Sequence, residues 1–331
     1  MIGYDHIQPI SPKLDVAPTK LAPTQDLHRK IRDFMVLHGK SFEIMTYPMI
    51  GEKHLQKCGW PRTGEDDEKG GIRILNSLSS DAELMRPSMV PSFLEAASVN
   101  VKHYDEFRFF ELGRVYHRDS KNFANESSQL AVCFYGRHKN PFMDLVNCFD
   151  HLIEALNLPS DLITHHPKFK SEVVDESWHG LHPFEFYNVR LMGKMKGSIF
   201  SFHPLLLRHY KIKGHLAMAI LDLTQVEAKP LKDKVKYQPL PKFPGSSFDW
   251  TVLAEQRPPV EDIFQALKKI KIKELSEVSV VDVFPLSDEQ KAVTLRAFFQ
   301  DPETTLSGEF ISQAQDQLVH GLENAGFPLK K

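Results

Sequence analysis

His179 and His182 stand three residues apart in WHGLHP, the H-x-x-H spacing that on a helix would turn two imidazoles toward one metal ion. Gly180 and Pro183 oppose a helix there, and no nearby Cys, Asp or third His completes a ligand set. A loop or structural role is therefore the expectation, with a metal-dependent enzyme as the alternative; His165 and His166, adjacent in a loop, read the same way. Glu111, Arg114 and Arg118 place a carboxylate near two guanidiniums, but Glu111 and Arg114 are separated by an odd number of residues. On a strand that spacing sends them to opposite faces. The other reactive pattern is cationic. LKKIKIKEL carries Lys268, Lys269, Lys271 and Lys273 at the end of a predicted helix, where ammonium groups complement the negative end of the dipole and can meet phosphates. A solvated helix end is the competing reading. Tyr237, Phe243, Phe248 and Trp250 supply aromatic faces of the kind on which unpaired bases stack, and Lys291 and Arg296 are further cations nearby. Alternation within FDWTVL puts Phe248 and Trp250 on one face, as core or as site, and Asp249 on the other.

Two successions of elements must position these groups. In the last part of the chain, 248–253 reads as a strand, 260–270 as a helix with Val260, Ile263, Phe264, Leu267 and Ile270 on one face, 278–284 and 292–299 as β-branched strands, and 306–322 as a second helix. Strand, helix, strand, strand, helix is the split βαβ plan. Upstream, helical spacing begins at Thr24, with Thr24 or Asp26 as N-cap, and stops at Gly39. A strand over 42–49, a turn-rich loop over 59–71, a helix over 89–99 and paired strands over 108–116 and 130–136 follow. A helix over 142–156, a hairpin of 187–192 with 196–202, a short helix over 205–210 and a strand over 217–223 complete the pattern. An antiparallel sheet with helices on one face gives an α+β class.

The 331 residues suffice for two cores, and the Pro-rich stretch around 229–247 is the natural break. The expected division is an extended, Pro-rich arm over 1–23, a first domain over 24–228, a linker over 229–247 and a second domain over 248–331. Apolar content of 41% with 25% charged residues, no long uncharged apolar run and no signal peptide excludes a membrane-spanning chain and predicts a cytoplasmic protein. Cys58, Cys133 and Cys148 lie far apart without a C-x-x-C pair, as free thiols of a reducing compartment do. A formal charge of −2 gives no global basic field, so any nucleic-acid contact must be a local patch.

The wording inside the last elements narrows the reading further. YQPLPKFPGSSFDWTVL, VSVVDVF, KAVTLRAFFQDPETTLSGEFI and LENAGFPLK resemble the ferredoxin-fold anticodon-binding domain of the bacterial phenylalanyl-tRNA synthetase β subunit. FEIMTYPMI, ILNSLSSDAELMRPSMVPSFLEAASVN, FRFFELGRVY and LHPFEFYNVRLMGKMKGSIFSFHPLLLRHY are similar, in the same order, to that subunit's class II synthetase-like module. IGYDHIQP resembles the end of the preceding family domain, so the chain is expected to start partway through a longer family member.

The resemblance implies a catalytically silent synthetase-like module that docks on the α subunit, followed by a ferredoxin-like domain that binds tRNA(Phe). Working class II sites hold the α-phosphate with an arginine after F-R-x-E and use a late G-x-G-x-x-R, because guanidinium forks match phosphate oxygens. Phe110 stands where the first arginine would be, and SIFSFHPLLL lacks the second. ATP and magnesium accordingly belong to the holo-synthetase and no cofactor to this chain, and the family's editing domain lies upstream of this region. Helix, glycine, strand and Pro48 resemble the first class II motif, which implies an interface at Phe42, Tyr47 and Pro48 within a tetramer of two α and two β chains. The chain departs from the anticodon-binding pattern at Ser247 and Phe248, where arginines are usual, and at Thr304. A shortened paralogue acting as a protein-interaction module is the alternative.

Overall fold

Leu27, Ile31 and Met35 recur at helical spacing and bury one face of α1 (Pro23–Leu37). Pro23 opens the helix, where its missing N–H costs nothing, and Gln25 accepts the Ala22 N–H; the start lies ahead of the expected caps Thr24 and Asp26. A computed structural model describes residues 3–13, 18, 20–60, 71–117, 125–163, 170–227, 240–256 and 260–330. They form two units, 1–233 and 234–331. Most of the expected linker, Tyr237, Arg118, the His165–His166 pair and most of the 59–71 loop lie outside the described residues.

In the first unit α1 leads into β1 (Phe42–Glu43), β2 (Met49–Ile50), α2 (Glu52–Lys57), β3 (Leu84–Met85), α3 (Val90–Asn100), β4 (Glu106–His117) and β5 (Asn125–Gly136). Then come α4 (Phe142–Ala155), β6 (Ser160–Ile163), β7 (Leu181–Leu191), β8 (Lys194–Phe202), α5 (Pro204–His209), β9 (His215–Asp222) and α6 (Thr224–Glu227). The main sheet runs β1-β4-β5-β9-β8-β7-β6 and is antiparallel except where β1 joins β4. The single strand expected over 42–49 is instead two short pieces in different sheets. Met192 and Gly193 both take positive φ at the β7–β8 turn, the geometry that matches the twist of a two-residue hairpin.

Residues alternate along these strands, so the sheet has two apolar faces. One packs Phe110, Leu130, Val132, Phe134, Ala217 and Leu221 against α1 and α4. The other packs Phe109, Ala131, Cys133, Phe200, Phe202 and Met218 against α3 and Trp178. Helices therefore cover both faces, not one as the pattern suggests: α3 carries Val90, Phe93, Leu94 and Ala97 inward, and a sheet apolar on both sides has to bury both.

The second unit comprises β10 (Ser246–Glu255), α7 (Glu261–Lys268), β11 (Leu275–Pro285), β12 (Gln290–Phe299) and α8 (Gly308–Asn324). Its sheet order is β10-β12-β11, both pairs antiparallel, so β12 splits the β10-α7-β11 unit. Leu329 bridges to Val252 on the outer edge of β10, where the split βαβ plan places its fourth strand. Trp250, Val252, Val293 and Leu295 bury one face against Ile263, Leu267, Ala314, Leu318 and Leu322 of the helices. Ser307 caps α8 by accepting the Phe310 N–H at 3.2 Å.

Candidate functional site

Glu111 on β4 alternates away from Phe110, and this alternation decides the chemistry of the first unit. Arg86 and Glu111 are 2% and 5% exposed and pair at 2.9 Å. Thr46 completes the network: its hydroxyl donates to Glu111 Oε2 at 2.6 Å and accepts from Arg86 at 2.6 Å, while its N–H donates to the same carboxylate. Arg86 Nε also donates to the Arg114 carbonyl at 2.8 Å. With every polar group satisfied, this buried pair is a rigid anchor, not a reactive centre. Arg114 itself turns outward to Glu126 at 2.9 Å.

The anchor holds the segment after β1 against the sheet from beneath and leaves its other side chains outside. Phe42, Met45 and Tyr47 are 76%, 93% and 72% exposed, Pro48 is exposed as well, and Val36 and Leu37 extend the apolar surface at the end of α1. Exposed apolar side chains on a pinned backbone are a candidate interaction surface. Phe42, Tyr47 and Pro48, singled out in the sequence, are all exposed; Leu37, which helical spacing puts on the apolar face of α1, is 69% exposed, and Met45 and Val36 carried only an apolar identity.

The position at which the resemblance would expect a phosphate-binding arginine is apolar. Phe110 is fully buried among Leu130, Val132 and the α1 and α4 side chains, where a guanidinium would be stranded without water or partner. On the opposite sheet face Phe107 stacks on Phe109 and Tyr135 at 4.9 and 4.8 Å, and Trp178 meets Phe200 and Phe202 edge-on. Ser198, in the late segment, is buried with its hydroxyl 2.6 Å from that of Ser171.

In the second unit Lys268 ends α7, and Lys269, Lys271 and Lys273 follow, all exposed. Ile270 and Ile272 between them turn inward onto the core; Ile270 packs so closely on Gly321 that a Cβ there would lie 2.3 Å from its Cδ1. Lysines out and isoleucines in make a cationic ridge. Among the described residues Lys269, Lys271 and Lys273 take part in no ion pair. Lys291 does not join them: it is buried, its ammonium donates to the Gln256 carbonyl at 3.3 Å, and burial lowers its pKa while Asp262 partly offsets this. Arg296 lies on the sheet face that the helices leave open and is gripped by Asp249 through two bonds of 2.7 and 2.6 Å. Register places Glu255, Glu277 and Asp282 on that same face. Phe243 is half-buried and its carbonyl accepts from Gln300. Trp250 is core, stacked on Phe248 at 5.9 Å.

Residues 7–223 match the family model described as the phenylalanyl tRNA synthetase beta chain CLM domain. The chain belongs to the phenylalanyl-tRNA synthetase beta-chain family. Residues 241–329 match the ferredoxin-fold anticodon binding domain. Among curated relatives, the phenylalanine-tRNA ligase beta subunit of Solibacter usitatus is 26% identical over 333 residues, covering 100% of this chain and 40% of the relative. The beta subunit of Clostridium tetani is 28% identical over 91% of this chain and 37% of the relative, and that of Bdellovibrio bacteriovorus 28% identical over 97% and 41%. The chain thus spans about 40% of the length of the curated beta chains it matches. Within this beta-chain architecture the buried Phe110 and the ridge Lys269–Lys273 fall in different units. Among the described residues no group of three or more His, Cys, Asp or Glu could hold a metal ion, and no helix is long and apolar enough to cross a membrane.

Proposed function

We propose that this chain works in protein synthesis as a non-catalytic part of a cytoplasmic phenylalanine-tRNA ligase, supporting ATP-dependent charging of tRNA(Phe). Its first unit docks the catalytic α subunit through the Phe42, Met45, Tyr47 and Pro48 surface. Its second unit contacts tRNA phosphates through Lys268, Lys269, Lys271 and Lys273. ATP and magnesium are handled by the assembled synthetase, a tetramer of two α and two β chains. The observation that carries this reading is Phe110, a core side chain at the position of a phosphate-binding arginine, beside a pinned and exposed apolar surface.

The test is co-purification with the α subunit from the same source, followed by salt-titrated binding of tRNA(Phe). A stable complex is expected, lost in the Met45→Glu/Tyr47→Asp variant, with no phenylalanine-dependent pyrophosphate exchange by this chain alone. Replacing Lys269, Lys271 and Lys273 by Gln should lower the slope of log K against log salt by about 2, since each phosphate contact contributes about 0.7 to 0.9. Exchange by the isolated chain, or an unchanged salt slope, overturns the corresponding half of the proposal.

One observation favours a second reading. The open sheet face of the second unit is acidic and its arginine is already paired, so a shortened paralogue that binds protein in place of tRNA is the alternative. Complex formation at full strength without any tRNA binding selects it.

A further inference from the structure

Four histidines come together in the first unit where nothing in the proposed function uses them. His179, His182, His203 and His209 line a cleft of about 720 Å3 whose wall is Trp178 and whose sides are Leu181, Leu205 and Leu206. The register Leu181↔Phe202, with the His203 N–H on the Gly180 carbonyl at 2.8 Å, brings the start of β7 beside the end of β8, and His182 and His203, which follow these two residues, both line the cleft. Gly180 must stay small, because a Cβ there would lie 2.2 Å from the Trp178 ring. The indole is itself fixed by its N–H on the Cys58 carbonyl at 3.0 Å.

We propose that this cleft binds an amphiphilic oxyanion, a carboxylate or phosphate carried on an apolar body, through the Nε2–H groups of His182 and His203. The tautomers decide the ligand class. His182 Nδ1 accepts the Glu185 N–H at 3.2 Å, and His203 Nδ1 accepts the Leu205 N–H at 3.2 Å. An imidazole that accepts at Nδ1 carries its proton on Nε2, so each ring presents a donor to its surroundings and has no lone pair left for a metal. The charges lining the cleft are already engaged: Lys57 pairs with Glu95 at 2.7 Å and lies over the Tyr210 ring, and Glu176 accepts from Asn188 at 2.7 Å. Donors set between indole and leucine side chains suit an acceptor head on an apolar body, and the site owes nothing to the tRNA reading.

The full chain is titrated with phenyl phosphate, benzoate, inorganic phosphate and benzyl alcohol, read by calorimetry and by tryptophan fluorescence. Saturable binding of phenyl phosphate or benzoate is expected, at least about tenfold tighter than benzyl alcohol, because a hydrogen bond to a charged group contributes about 1.5 kcal/mol or more; which of the two binds tells phosphate from carboxylate. Two kinds of substitution separate binding from folding. In His182→Asn and His203→Asn the amide oxygen can still take the backbone N–H while the distal donor is gone, so the Tm should hold and affinity should fall about tenfold. In His182→Gln and His203→Gln the distal donor remains and the local bond is lost, so affinity should hold and the Tm fall. No saturable binding, equal binding of benzyl alcohol, preference for bare inorganic phosphate, or wild-type affinity in both Asn variants overturns the proposal.

Discussion

The two units each carry an arginine locked onto a carboxylate, and the pairs have little in common beyond their bond lengths. Arg86–Glu111 closes at 2.9 Å with both partners at 5% exposure or less, and Asp249–Arg296 closes at 2.6 Å with side chains 40% and 50% exposed. In the first unit the pair joins residues from different segments, is shared with Thr46 and the Arg114 carbonyl, and fixes a surface segment to the sheet. In the second it joins cross-strand neighbours already held by the ladder, and water screens it. Distance therefore does not measure what an ion pair does. The buried pair is structural because each partner is costly without the other; the exposed pair joins groups that water already solvates and leaves Arg296 engaged on an acidic sheet face.

The largest effect should come from breaking the first pair on one side. Arg86→Met leaves Glu111 buried without its cation, and a loss of about 3 to 5 kcal/mol is expected in denaturant unfolding. Adding Glu111→Leu to Arg86→Met should recover part of it, since the buried charge is then gone while the Thr46 N–H and the Arg114 carbonyl are left without these partners. A single variant as stable as the parent would mean that water reaches the pair, and the contrast between units would collapse. Gly113→Ala presses on the same pair without removing either charge. Its Cβ would stand 2.4 Å from Arg86 Nη2 and 2.9 Å from Met89 Cε, so about 1 to 3 kcal/mol of overpacking is expected.

The same contrast explains what could be read from the sequence. Alternation in FDWTVL correctly divides Phe248 and Trp250 from Asp249, because a strand's period is local. The opposite faces of Glu111 and Arg114 follow by the same rule. The partner of Glu111 does not: Arg86 lies 25 residues earlier in a segment with no period, and only the fold brings them together. Lys291 looks like any surface lysine, yet its register opposite Ala254 turns it inward. The lysine ridge is legible because isoleucines alternate with lysines. The cleft histidines are not, since their juxtaposition depends on the β7–β8 register and their tautomers on backbone N–H groups two and three residues downstream.

The smallest effect belongs to the exposed pair and is a matter of pH. The bonds from Arg296 hold the Asp249 carboxyl below its ordinary value, and Asp249 in turn raises Arg296. A carboxyl depressed in the folded chain binds fewer protons there than when unfolded, so its contribution is complete above the ordinary aspartate value of about 4 and fades as the pH falls through the depressed one. Asp249→Asn should therefore narrow slightly the fall in the second unit's Tm between pH 6 and pH 3, and leave the first unit's transition unmoved. Because Asp249→Asn also frees Arg296 on an acidic face, the variant separates two consequences of one bond. If tRNA affinity at low salt rises while stability at pH 7 barely changes, the pair's role is to hide a cation. If stability falls by as much as in Arg86→Met, the exposed pair is a second anchor, and the difference between the units is one of position alone.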